Sequence, residues 1–79
     1  MTRNYKEIVN QIIKAYSHRI AKSPEFIRIM ETRSLMQGLN GLALAALAAN
    51  DIDATIEINN LLLDIEKGGN IEPYNLEAA

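Results

Sequence analysis

The sequence predicts an all-α fold. The expected form is a bundle of three longer helices, at about 3–22, 35–49 and 52–67, with one short helix at about 24–32 and a flexible C-terminal tail. Three observations carry this. Seven apolar residues near the N-terminus recur with a helical period. An uncharged, small-residue-rich segment follows between Ser34 and Asn50, and a second apolar run ends in Lys67-Gly68-Gly69.

The first helix rests on Tyr5, Ile8, Val9, Ile12, Ile13, Tyr16 and Ile20, spaced i, i+3, i+4, i+7. At about 100° per residue they fall in one stripe, the core-facing side of an amphipathic helix. Thr2 is the expected cap. The outward side carries Arg3, Glu7, Asn10, Lys14, His18 and Lys22.

Ser23-Pro24-Glu25 reads as a stop followed by a restart. Proline disfavours helical geometry at the residue before it and suits the first position of a new helix. Ser23 would then cap, and Glu25 would face the positive helix end. The short helix presents Phe26, Ile27, Ile29 and Met30. If it ran on unbroken, Phe26, Ile27 and Met30 would point away from Leu39, Leu42 and Ala46. Ser34-Leu35-Met36-Gln37 matches a capping box, so a boundary is expected near Arg33–Ser34.

The helix over 35–49 has no charge on any side. Leu35, Met36, Leu39, Leu42, Ala43, Ala46 and Leu47 form its main apolar arc. A helix without a solvated face is expected to be surrounded. Gly38 and Gly41 each cost about 1 kcal/mol relative to alanine in a helix interior. Close packing of a neighbour at Gly38, Gly41 and Ala45 would offset that cost.

Asn50-Asp51 is a turn into the last helix, where either residue can cap. Its apolar set, Ile52, Ile56, Ile58, Leu61, Leu62, Leu63 and Ile65, covers roughly 220° of the wheel, more than one buried stripe. These seven are the expected partner interface. The helix ends on a cation followed by glycine, a C-terminal signal. Residues 1–67 form one domain. Residues 68–79 form a tail without helical period, expected to be loose; the alternative is that Ile71, Tyr74 and Leu76 dock into a groove on this chain or on a partner. The hairpin from Ser34 to Lys67 shares its architecture with a tetratricopeptide-type unit. It has no second copy at a fixed period, so no repeat family is assigned.

Composition excludes much chemistry. Seventy-nine residues with no cysteine and one histidine leave no disulfide, no thiolate metal site and no histidine-rich one. A chain this short buries only about 60% of its unfolded surface, so regular packing or a partner subunit is the remaining route to stability. His18 lies among Lys14, Lys22 and Glu7 without a recognisable nucleophile, and reads as a solvated side chain. Asp51 and Asp53 lack the further ligands of a calcium loop. Gly38-Leu39-Asn40-Gly41 and Gly68-Gly69 lack the strand, helix and lysine of a phosphate loop. No catalytic residue, metal or cofactor is expected. The longest uncharged stretch is shorter than a bilayer span, and the N-terminus lacks a signal-peptide run, so a cytoplasmic protein is expected.

Charge is asymmetric along the chain. Residues 1–36 hold seven basic side chains against three acidic, a net +4; residues 37–79 hold one against seven, a net −6. Arg3, Lys6, Lys14 and Lys22 make a possible nucleic-acid face on the first helix. A face of four cations gives weak, salt-sensitive binding. The helix over 35–49, with no lysine or arginine, cannot serve as a recognition helix. The expected function is a small non-enzymatic protein–protein interaction or assembly module, self-associating as a homo-oligomer. Phage or mobile-element accessory proteins that bind a host or structural protein have this make-up. The alternative is a nucleic-acid-associated regulator.

Overall fold

The computed structural model describes residues 1–76 as three helices: α1 (Arg3–Ile20), α2 (Glu25–Ala48) and α3 (Ile52–Glu66). No strand occurs among the described residues. α2 is the central element, with α1 and α3 packed along it. Its 24 residues make a rod about 36 Å long at 1.5 Å per residue, close to the 39 Å long axis of the molecule.

α1 forms where its periodicity predicts but ends at Ile20, and its core side is turned slightly, since Ile8 of the stripe is exposed and Asn10, expected outward, is buried. Val9, Ile13 and Tyr16 are buried, while Ile12 and Ile20 pack at the edge of the core. Thr2 occupies the cap position without a side-chain hydrogen bond. Ser23 closes α1 rather than opening α2, since its hydroxyl donates to the Arg19 carbonyl at 2.6 Å. Pro24 takes the cap position of α2. Two contacts then fix α1 on α2: Tyr16 Oη and Thr32 Oγ1 share a hydrogen bond of 3.0 Å, and Arg19 pairs with Glu31.

The expected break at Arg33–Ser34 does not occur. The separate helices at about 24–32 and 35–49 are one element, so the bundle has three helices and no short fourth. The physical reason lies in what the phase reversal means. Leu35, Leu39, Ala43 and Ala46 face the core, while Phe26, Ile29 and Met30 remain exposed. The helix does not need to bury both sets within the chain. A capping box adds nothing at Ser34, because amides inside a continuing helix already have partners.

Both remaining helix ends close as Schellman turns. At the end of α2, Asn50 adopts φ 60°, with Asn50 N–H donating to Leu47 O and Asp51 N–H to Ala46 O. At the end of α3, Gly68 adopts φ +84°, with Gly68 N–H donating to Ile65 O and Gly69 N–H to Asp64 O. A Cβ on Gly69 would sit 2.9 Å from the Asp64 carbonyl, which is why glycine stands there. Asp51 caps α3 as expected, accepting from Ala54 N–H at 3.2 Å.

The tail is not loose over its described length. Asn10, buried on α1, donates through Nδ2 to Tyr74 O and accepts from Tyr74 N–H. Ile71 and Tyr74 pack against the core, and Lys6 Nζ lies 5.4 Å from the Tyr74 ring centroid. The final residues of the expected tail, 77–79, lie outside the described residues.

Candidate interaction surface

The core occupies one side of α2 and leaves the other uncovered. On the uncovered side Phe26, Met30, Arg33, Gln37, Asn40, Leu44 and Leu47 are all exposed. Their spacing alternates four and three residues along the whole helix. Side chains so spaced share one face, and this is the rhythm of a helix–helix seam. The face is apolar at both ends and polar in the middle. Arg33 is its only charge.

Within the single chain, the close approach expected at Gly38, Gly41 and Ala45 is not made. All three are exposed. A Cβ on Gly38 would meet Ile12 Cγ2 at an ordinary 3.7 Å, and one on Gly41 would meet nothing within 4 Å. α2 is enclosed on its Leu35–Leu39–Ala43–Ala46 side only.

The seven interface candidates of α3 divide into three groups. Ile58 and Ile65 are buried in the core, and Leu61 and Leu62 pack against it. Ile52, Ile56 and Leu63 remain exposed, stacked within about 40° on the opposite side of the helix. The 220° apolar arc therefore holds two faces, an inner one and a narrow outer one.

α3 is nine residues shorter than α2. Alongside the first turns of α2 this shortfall leaves an open groove of about 610 Å³, lined by Ser23, Glu25, Arg28, Ile29, Thr32 and Arg33. Sequence reasoning missed it because the break expected at residue 33 hid the overhang.

Of the four candidate nucleic-acid residues, Arg3, Lys6 and Lys14 lie on α1 and Lys22 in the turn after it, and two are engaged. Arg3 pairs with Glu7 at 3.2 Å and donates to Leu76 O at 3.4 Å, while Lys6 sits over the Tyr74 ring. Lys14, Lys22 and His18 are exposed. No group of three or more potential metal ligands occurs among the described residues, and no helix there is long and apolar enough to cross a membrane. Among the described residues the Tyr74 phenol is perturbed. Burial pushes its phenol pKa up, and the Glu57 carboxylate adds to this by charge and hydrogen bonding. Glu57 also holds the Met1 ammonium at 2.8 Å.

Fold and surface together define a class: a small three-helix module whose central helix has one face in the core and one exposed, apolar at both ends. The chain belongs to the family described as "Domain of unknown function (DUF4754)", whose model matches residues 1–79. No curated protein and no solved structure matches it.

Proposed function

We propose that the chain is a non-enzymatic protein–protein interaction or assembly module that docks through the outer face of α2. One observation carries this reading. Five large apolar side chains on α2 (Phe26, Ile29, Met30, Leu44 and Leu47) and three on α3 (Ile52, Ile56 and Leu63) are each about half exposed or more. Single exposed apolar residues need no explanation, but large ones grouped at both ends of one helix face, with a third group on α3, favour an interaction surface on a small domain.

Tagged capture with mass spectrometry, run beside light scattering at several concentrations, tests the proposal. A strict monomer that retains no protein above a tag-only control would sink it. A nucleic-acid role would rest on Lys14 and Lys22, since Arg3 and Lys6 already have partners in the fold. An electrophoretic mobility shift at low salt that disappears in the Lys14→Glu, Lys22→Glu double variant would favour that reading instead.

A further inference from the structure

Resting on that reading, we infer that the outer face of α2 takes a second copy of this chain, with the two α2 helices antiparallel about a two-fold axis at Gln37.

The face is self-complementary under that operation. A two-fold interface requires that whatever residue i meets on the partner, its symmetry mate meets in return. Gln37 lies at the middle of the seam, three seam positions from either end. Antiparallel pairing brings Phe26 and Met30 of one copy onto the Leu44–Leu47 end of the other. The polar residues Arg33, Gln37 and Asn40 then meet at the centre. There the Asn40 amide oxygen of one copy can accept from the Arg33 guanidinium of the other. Size matches as well as polarity. The bulky end, Phe26, Ile29 and Met30, lands where Ala45 and Ala48 leave room beside Leu44 and Leu47. All of these are exposed in the single chain.

Charge sets the direction. The corner between α1 and α2 carries Arg19, Lys22 and Arg28 against Glu25 and Glu31, while the corner between α2 and α3 carries Asp51 and Asp53. Antiparallel docking sets the basic corner of each copy against the acidic corner of the other. Parallel docking would place like charges together at both ends, and would stack Phe26 on Phe26 with the small residues facing each other.

Area is sufficient. The five apolar side chains of the α2 face are between 51% and 64% exposed. At roughly 100 Å² each, on the scale of the 150–250 Å² an aromatic side chain buries, they offer about 500 Å² per copy. Adding the polar centre and the small residues brings the face near the ~800 Å² per partner of a standard interface.

The absence of cysteine makes the test clean. Sedimentation velocity at several concentrations should show a monomer–dimer equilibrium. Leu44→Glu, at an exposed position, should keep its circular dichroism and weaken the dimer at least ~100-fold, because it places a carboxylate in an apolar contact. Under mild oxidation Gln37→Cys should form a covalent dimer, since its two copies meet on the axis. Phe26→Cys should not, because its two copies lie about 33 Å apart at 1.5 Å per residue. An equimolar mixture of Phe26→Cys and Leu47→Cys should give the mixed dimer.

A wild-type monomer at every concentration overturns the inference. So does cross-linking of Phe26→Cys as fast as Gln37→Cys, or a dimer indifferent to Leu44→Glu and broken by Ile56→Glu. A monomer that still captures another protein through the α2 face would leave the interaction-module reading standing while removing the second copy.

Discussion

Asn10 and Tyr74, sixty-four positions apart, exchange two hydrogen bonds: Asn10 Nδ2 donates to Tyr74 O at 2.9 Å, and Tyr74 N–H donates to Asn10 Oδ1 at 2.7 Å. Asn10 is the buried polar side chain of α1, 7% exposed, and this exchange satisfies both ends of its amide. The side chain thus treats the tail as a strand treats its neighbour, giving and taking one bond. Asn10→Ala would remove both bonds and leave the Tyr74 N–H and carbonyl without them. The expected cost is about 1–3 kcal/mol, seen as a fall in Tm of roughly 4–8 °C per kcal/mol for a domain of this size. An unchanged Tm would mean that the tail contributes nothing to the fold.

The same contact gives the tail a pH dependence at its alkaline limit. The Tyr74 phenol titrates above its ordinary value near 10, because burial and then Glu57 oppose its ionised form. A raised folded-state pKa means stabilisation that is complete below the unfolded value and lost as pH climbs through the folded one. Docking of residues 71–76 should therefore hold through neutral pH and weaken above about pH 10. Tyrosinate absorbance followed against pH should show a late-ionising tyrosine that disappears in Tyr74→Phe. A Tyr74 that titrates like free tyrosine would contradict the docked geometry.

These two residues also show where sequence reading stops. α1 is legible because its stripe of Val9, Ile13 and Tyr16 is periodic and local. The Asp51 cap and the Gly68-Gly69 stop are legible because both depend on bonds within a few residues. The Asn10–Tyr74 exchange is not, since neither residue has a pattern that points at the other across the chain. The continuity of α2 was hidden for a different reason. A phase reversal signals a break only if both apolar sets must be buried by the same chain, and of the first set Ile27 is half-buried while Phe26 and Met30 are exposed. On α3 the breadth of the apolar arc was legible, but not its division. A helical wheel shows that Ile56 and Ile58 point apart without saying which of them meets α2.

That division makes a direct comparison possible. Ile58 is fully buried and Ile56 is 53% exposed, two positions apart on one helix. Ile58→Ala should cost about 2–5 kcal/mol through lost burial and the cavity left behind. Ile56→Ala should stay within roughly 0.5 kcal/mol, as exposed substitutions do. Denaturant titration of both variants checks this. Equal losses would mean that Ile56 is covered in solution by a second surface.

Asp51 makes a smaller but sharper case. Its carboxylate accepts from Ala54 N–H at 3.2 Å and serves one of the unpaired amides at the start of α3. Asp51→Ala should cost about 1 kcal/mol, while Asp51→Asn or Asp51→Ser should restore most of it, because each keeps a side-chain oxygen at the cap. A loss that neither conservative variant rescues would assign Asp51 a role outside the cap.

The glycines of α2 separate a covered helix from an uncovered one. If the chain itself enclosed Gly41, a methyl group there would clash. The structure instead leaves 4 Å or more of open space around its absent Cβ. Gly41→Ala should therefore stabilise the monomer by about 1 kcal/mol, the difference in helix propensity between the two residues. Gly38→Ala should do nearly as well, since its methyl would make an ordinary 3.7 Å contact with Ile12. Thermal unfolding at low protein concentration, where self-association is minimal, measures this directly. A destabilised Gly41→Ala variant under those conditions would show that the outer face of α2 is closed within one chain, and would remove the exposed ridge on which the interaction reading depends.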